Sequence, residues 1–402
     1  MRRRHLMIAT LVALGALAAG ACQPVAAPPP PPPPPPPQVS SCTAPVGADG
    51  KTEYFAVVDE GDGTTEAVTF DAGSEGEKRD DVAAIEATEG DVVAVEIDWP
   101  VSTAVNPAPG DDPRFLEQWG VTAAGFPTAW DVSHAASQGL AAATPVRVAV
   151  LDTGVHAVHE DLGPTAVITG IDEINDGNPG GTTDPNGHGT HVAGIVGARD
   201  NIVGGVGGAP DVEILPVRVL NAAGSGSYSS VINGIDDAVA AGAQVISMSL
   251  GGSGFSQALQ DAVTKAVGAG VVVIAAAGND GSCDASYPAA LVSVISVAAT
   301  TSPGTSLASY SQRGSNVDIA APGSTILSTL NTGAYGNKSG TSMATPFVAA
   351  AAALLRAKCP GMSPGAIEAR LESTATPIPG NPIQTSPSSG ALRADLATAG
   401  AC

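Results

Sequence analysis

The sequence predicts an α/β fold, a mostly parallel sheet with helices on both faces, preceded by a small α/β segment. Two observations carry this. From residue 146 onward, short runs of β-branched and aliphatic residues alternate with segments of helical apolar spacing. That rhythm is the mark of βαβ units, which associate into parallel sheets covered by helices. The chain is also rich in Ala, Gly and Val and has only 3% aromatic residues, which suits helices packed closely against a sheet.

The elements follow in order. Arg2, Arg3 and Arg4 precede an apolar stretch over 6–18 and then Ala19-Gly20-Ala21-Cys22, the layout of an export signal. The stretch is too short to span a bilayer permanently. Two outcomes compete at the bond after Ala21: ordinary signal-peptidase cleavage, which Ala19-x-Ala21 suits, and lipidation of Cys22, which resembles the anchored cysteine of bacterial lipoproteins. The usual lipoprotein box carries a larger aliphatic residue where Ala19 stands. Either outcome puts the mature chain outside the cytoplasm, secreted or attached to the membrane at the bacterial cell surface. Residues 1–21 are thus read as signal peptide and 22–41 as a linker, whose unbroken proline run over 28–37 must form a polyproline II stalk.

Residues 42–109 are acidic, with strand-like runs at 54–58 and 92–98 and a short amphipathic helix at 81–89. The Pro- and Gly-containing stretch 106–110 is the natural processing linker before a domain over 110–402. In that domain, strands are expected at 146–152, 214–220, 245–250 and 271–277. Helices are expected at 229–241, with apolar spacing at Val231, Ile232, Ile235 and Val239, and at 256–267. A last, alanine-rich helix follows Ser339-Gly340-Thr341-Ser342 and runs to about 358, with Pro346 near its first turn, where a missing N–H is tolerated.

A formal charge of −22 on 402 residues argues against a nucleic-acid partner, which requires basic patches. A soluble acidic monomer is expected.

Chemistry enters at the ends of these elements. A serine at the start of the last helix sits where unpaired N–H groups and the positive end of the helix dipole can stabilise an anion. An isolated serine there would merely cap the helix. Two further segments supply the partners of a nucleophile. Asp152 closes the strand Val146-Arg147-Val148-Ala149-Val150-Leu151, at the sheet edge where active groups of α/β proteins gather. His188 lies in Asn186-Gly187-His188-Gly189-Thr190-His191, where glycines let the backbone come close to the imidazole. A zinc reading of His188 with His191 fails for want of a Glu after His188.

Together these segments resemble the subtilisin-like serine proteases, the subtilases, in the family's chain order of aspartate, histidine and serine. A fourth match is Ala275-Ala276-Ala277-Gly278-Asn279-Asp280-Gly281, and the resemblance extends from about Asp112 to the carboxyl terminus. It implies peptide-bond hydrolysis through an acyl-enzyme, with no catalytic cofactor. Ser342 would be the nucleophile, His188 the general base and then acid, and Asp152 its orienting carboxylate. Asn279 and the Ser342 N–H would form the oxyanion hole.

The polypeptide substrate would add as a strand against Ser225-Gly226 and Ser249-Leu250-Gly251. Its first specificity pocket would be walled by Leu250, Gly251, Ala276, Ala277 and Gly278, with Ser286 at the floor and Tyr228 as the lid of a further pocket. Apolar to medium residues before the scissile bond are expected. Residues 42–109 look like a reduced inhibitor-like propeptide, so the chain's own propeptide is a second partner; an independent adhesive domain is the alternative.

The resemblance further suggests a structural calcium, with side-chain ligands from Asp112, Asp161 and Asn201 and carbonyls from Arg199, Val203 and Gly205, Gly204 and Gly205 adding flexibility that the family's loop lacks. Solvated surface acids are the plain reading of the same residues. Export favours disulfides, and Cys359 with Cys402 is the preferred pair, Cys283 being left free or paired. Two other functions are weighed: an esterase, disfavoured because Ser342 lacks the Gly-x-Ser-x-Gly elbow, and an inactive surface binding protein, disfavoured because no catalytic residue is missing.

Overall fold

The computed structural model describes residues 52–59, 65–72, 74–88, 91–97, 112–130, 145–174, 176, 180–378 and 390–402. The expected signal peptide, proline stalk and 106–110 linker lie outside the described residues. The chain divides into two compact units, one spanning Pro29–Asn106 and the other containing Pro107–Cys402.

In the first unit, β1 (Thr52–Asp59) pairs antiparallel with β2 (Thr65–Ala72) on one side and β3 (Asp91–Ile97) on the other. A helix spans Glu75–Thr88. The sequence pointed to neither β2 nor so early a helix start. Residues 75–81 are mostly charged and show no apolar period, yet the Ser74 hydroxyl accepts the Glu77 N–H at 3.2 Å and caps a helix there.

The second unit is built on a sheet in the order β10-β9-β8-β7-β4-β6-β5. Here β4 is Arg147–Asp152, β5 Ile171–Asp172, β6 Glu213–Arg218, β7 Val245–Met248, β8 Val272–Ala276, β9 Ile295–Thr301 and β10 Ser306–Leu307. The pairs from β5 to β9 are parallel, and only β10 runs antiparallel to its neighbour. β11 (Ile319–Pro322) lies parallel to β9, while β12 (Ile326–Thr329) and β13 (Tyr335–Lys338) form a separate hairpin.

The two faces follow from the period-two alternation of the strands. Val148 and Val150 of β4 join one core, shared with the helices His188–Gly197 and Thr341–Lys358. Ala149 and Leu151 join the other, against the helices Tyr228–Ala240 and Gln257–Gly268. The strands and helices expected from sequence are therefore present, with ends shifted by a few residues.

Pro346 differs from expectation. It lies in the helix interior, not at its opening. The carboxyl-terminal segment is tied back to the end of that helix by a Cys359–Cys402 disulfide with a Cα–Cα distance of 5.5 Å, the pair preferred from sequence. Cys283 is likewise disulfide-bonded. Among the described residues no helix is long and apolar enough to cross a membrane.

Candidate active site

The carboxyl ends of β4, β7 and β8 bring the chemistry-bearing residues to one edge of the sheet. Asp152 ends β4 and is fully buried. Its Oδ1 accepts the Thr153 N–H at 2.7 Å, and its two oxygens lie 2.8 and 2.9 Å from Nδ1 of His188. A carboxylate only accepts, so Nδ1 carries the proton and Nε2 of the neutral ring keeps its lone pair. His188 opens its helix, and the glycine after it is needed for the close approach. A Cβ on Gly189 would meet the Gly154 carbonyl at 2.2 Å and Asp152 Cβ at 3.0 Å.

Burial pushes the His188 pKa down, but the charge of Asp152 and its hydrogen bond outweigh this, so the net shift is upward. Lys338, whose Nζ donates to the Gly187 carbonyl at 3.0 Å, opposes the rise, and Asp184 assists it.

Asp184 did not stand out in the sequence. It is buried, and its Oδ1 accepts from Thr153 Oγ1 at 2.8 Å, Asn186 N at 3.0 Å and Gly187 N at 2.7 Å. Its Oδ2 accepts from Thr190 N at 2.8 Å and Thr190 Oγ1 at 2.6 Å. One carboxylate thus ties the helix start that carries His188 to the residue beside Asp152. An acid just ahead of a helix start is a capping signal, and that alone could have flagged it.

His191 serves a different purpose. Its Nε2 donates to the Gly336 carbonyl at 3.0 Å, its other ring nitrogen is buried without a partner, and burial drives its pKa down to about 4. It is a neutral core histidine, with no partner shared with His188.

Ser342 is the second residue of the helix Thr341–Lys358. Its hydroxyl donates to the Ser249 carbonyl at 3.2 Å in this structure, and the Ser249 hydroxyl donates to the Ser342 carbonyl at 2.8 Å. The second bond compensates a defect: the Ser342 carbonyl is the i−4 acceptor of Pro346, which has no N–H to give. Asn279 follows β8. Its Oδ1 accepts from Thr341 N at 2.8 Å and Thr341 Oγ1 at 3.1 Å, which fixes the amide's orientation and leaves its own N–H donors uncommitted to the helix.

Two cavities flank these residues. One, of about 430 Å³, is lined by His188 with Ser225, Gly226, Tyr228, Ser249, Leu250 and Gly251. Tyr228 Oη donates to the Gly254 carbonyl at 2.7 Å. The other, of about 470 Å³, is lined by Ser342 and Asn279 with Leu250, Gly251, Ala276, Gly278 and Ser286. Asp280 and Asp284 also line it, which the sequence reading did not anticipate. Ala277 departs from expectation: it is buried in a small cluster with Ala298, Val317 and Ala320 and does not line the cavity, because its side chain falls on the far face of the chain.

The residues named for calcium also converge. Asp112 Oδ1 accepts from Val203 N at 3.1 Å and Asn201 N at 3.4 Å, while Asn201 Oδ1 accepts from Val203 N at 2.9 Å. Asp161 Oδ2 accepts from Gly205 N at 3.0 Å, and the Asp161 carbonyl accepts from Arg199 N at 2.9 Å. Asp161 Oδ1 is buried and accepts no hydrogen bond of ordinary geometry; burial raises this carboxyl to about 7, the charge of Asp112 adding to the rise while the Gly205 N–H and the nearby Tyr335 hydroxyl oppose it. Gly204 has φ +59°, a conformation that favours glycine, and Cβ atoms at Gly204 and Gly205 would meet the side chains of Tyr335 and Gln118.

A family model described as the Subtilase family matches residues 144–395. This chain belongs to the subtilase family. It is 46% identical over 235 residues to subtilisin DY of Bacillus licheniformis, covering 58% of this chain and 84% of that protein. Thermitase of Thermoactinomyces vulgaris is 44% identical over 273 residues, 67% of this chain and 92% of its own length. Among solved structures, a protease from Pseudoalteromonas arctica superposes with a TM-score of 0.64 at 36% identity, covering 73% of this chain and 99% of that one. As a subtilase, the chain is a serine peptidase that requires no catalytic cofactor.

Proposed function

We propose that this subtilase is an exported endopeptidase working through Ser342, His188 and Asp152. The observation that carries the reading is the buried Asp152 carboxylate bridging Nδ1 of His188 at 2.8 and 2.9 Å. Held this way, the ring presents Nε2 as a base. Released from the Ser249 carbonyl, the Ser342 hydroxyl would give its proton to that nitrogen as the oxygen attacks the scissile carbonyl. The carbonyl becomes a tetrahedral anion, for which the Asn279 amide and the Ser342 N–H are donors already in place. The imidazolium then protonates the leaving amine, and a water repeats the sequence on the acyl-enzyme. The peptide would lie as an added strand between Ser225-Gly226 and Ser249-Leu250-Gly251, with the side chain before the scissile bond in the cavity above Ser286.

Casein hydrolysis decides this reading. Ser342→Ala is expected to keep the fold, lose labelling by a serine-directed phosphonate and fall to residual turnover, and parental cleavage by that variant would end it.

We also propose that Asp112, Asp161 and Asn201, with the carbonyls of Arg199, Val203 and Gly205, hold a structural calcium. The unpartnered buried oxygen of Asp161 and the hard oxygen donor set fit such an ion, whose part would be to fix this loop. A melting temperature unmoved by EGTA would exclude it. Export follows the reading of residues 1–21 as a signal, with the mass of the mature amino terminus separating free secretion from lipidation at Cys22.

A further inference from the structure

We infer that Gln312 is a positioning residue for catalysis, clamping the loop 278–284 so that Asn279 is aimed at the reacting carbonyl; this rests on the oxyanion role proposed above for Asn279. Gln312 lies outside every motif that marks the family, and is buried at 3% exposure. Its backbone N–H donates to the Gly278 carbonyl at 3.0 Å. Its Oε1 accepts from Asp280 N at 3.2 Å and Ser282 N at 3.0 Å. Its Nε2 donates to Ser282 Oγ at 3.0 Å and the Asp284 carbonyl at 3.3 Å. Backbone N–H groups only donate and carbonyls only accept, so these partners fix both ends of the carboxamide.

The residues bonded to Gln312 bracket Asn279 on both sides. Gly278 precedes it and Asp280 follows it, so the backbone that carries the oxyanion donor is held by Gln312 while the side-chain oxygen is held by Thr341. Gly278 has φ +112°, and a Cβ there would meet Gln312 Cγ at 2.8 Å. The side chain therefore packs directly on the turn into the loop as well as bonding to it. Asp280 and Asp284, which line the cavity beside Ser342, are set by the same clamp. An oxyanion donor contributes through being fixed before the charge develops, and a displacement near 1 Å suffices to lose much of the effect.

The test compares kcat and KM on a peptide p-nitroanilide for the mature parent enzyme, Gln312→Met, Asn279→Ala and the double variant. Methionine keeps the volume and the packing on Gly278 but removes all four side-chain hydrogen bonds. Gln312→Met is expected to lower kcat about 10-fold or more while KM moves less than about threefold. In the Asn279→Ala background the same change should cost less than about twofold, since the donor it aims is gone. Gln312→Glu keeps the acceptor for Asp280 and Ser282 but has no donor for the Asp284 carbonyl once ionised, so it should recover only part of the lost kcat; it also carries the comparison if the methionine variant does not fold.

A parental kcat in Gln312→Met, or a loss that multiplies in full with that of Asn279→Ala, overturns the positioning role while the oxyanion reading stands. If Asn279→Ala itself leaves kcat unchanged, the oxyanion reading falls, and the positioning role falls with it.

Discussion

His188 is the group whose protonation should set the acid limb of activity. Burial works against its charge, but the Asp152 carboxylate prevails and holds the imidazole pKa above its ordinary value, which is about 6.5. In the mechanism proposed above the base is the neutral ring, so kcat/KM is expected to fall as pH drops through that raised pKa, with a midpoint above about 6.5. Protonated His188 also stabilises the fold; that contribution is full below the unfolded value and is lost as pH rises through the folded one. Asp152→Asn removes the charge and reverses the hydrogen bond, so turnover should drop on the order of 10⁴-fold and the residual midpoint should move down. A pH–rate profile on both proteins checks this, and an unmoved midpoint would count against Asp152 as the cause. At this scale Asp152, His188, Asn279 and Ser342 are legible in the sequence because each sits in a short glycine-bearing motif at an element's end. Asp184 and Gln312 are far less so. Their partners are mostly backbone N–H and carbonyl groups, and those of Gln312 lie about thirty residues away, gathered by tertiary packing that no local pattern encodes.

The helix that carries Ser342 shows how an element can be read correctly and its interior missed. Its alanine run makes it a close-packed, largely buried rod, with Ala349 to Ala353 at 0% exposure, and its end at Lys358 is where the sequence places it. Pro346 nonetheless costs it the hydrogen bond to the Ser342 carbonyl, and the Ser249 hydroxyl at 2.8 Å fills that place. Ser249 is legible as a substrate-edge residue by resemblance, whereas its side chain's structural duty depends on a contact 93 residues away. Ser249→Ala should therefore destabilise the protein by about 0.5–1.5 kcal/mol, the net worth of one hydrogen bond to a half-buried acceptor. In a Pro346→Ala background, where an N–H can return to that carbonyl, the cost should shrink to a few tenths of a kcal/mol. Urea midpoints of the four proteins measure this, and a full additive loss in the double variant would show that the Ser249 hydroxyl is not replacing the missing helix bond.

On the scale of the whole molecule, the parallel sheet sets β4 beside β6 and β7, strands far from it in sequence, and such topologies fold slowly. The Cys359–Cys402 disulfide closes a separation of 43 residues and stabilises by about 4 kcal/mol in the chain-entropy model, but it ties down only the carboxyl-terminal end. Help in assembling the sheet would have to come from elsewhere. The unit Pro29–Asn106 holds a small antiparallel sheet and a helix of its own, and the chain divides from the larger unit at 106/107, inside the Pro- and Gly-containing stretch that reads as a linker. We propose that 42–109 is an intramolecular chaperone that templates the larger unit and is then removed by the enzyme itself. The sequence could suggest such a segment only by resemblance, because a fold this small carries few residues that only one structure explains; β2 went unread for that reason. Cleavage in cis makes a sharp prediction. The parent should yield a fragment beginning between 107 and 112, while Ser342→Ala accumulates as the longer chain and is trimmed only when active enzyme is added. Intact masses after reduction, with disulfides opened so that no cleaved piece stays attached, read this directly. A fully active parent that retains the segment would make it an accessory domain, and an unprocessed Ser342→Ala chain beside a processed parent would place the cutting group at Ser342 itself.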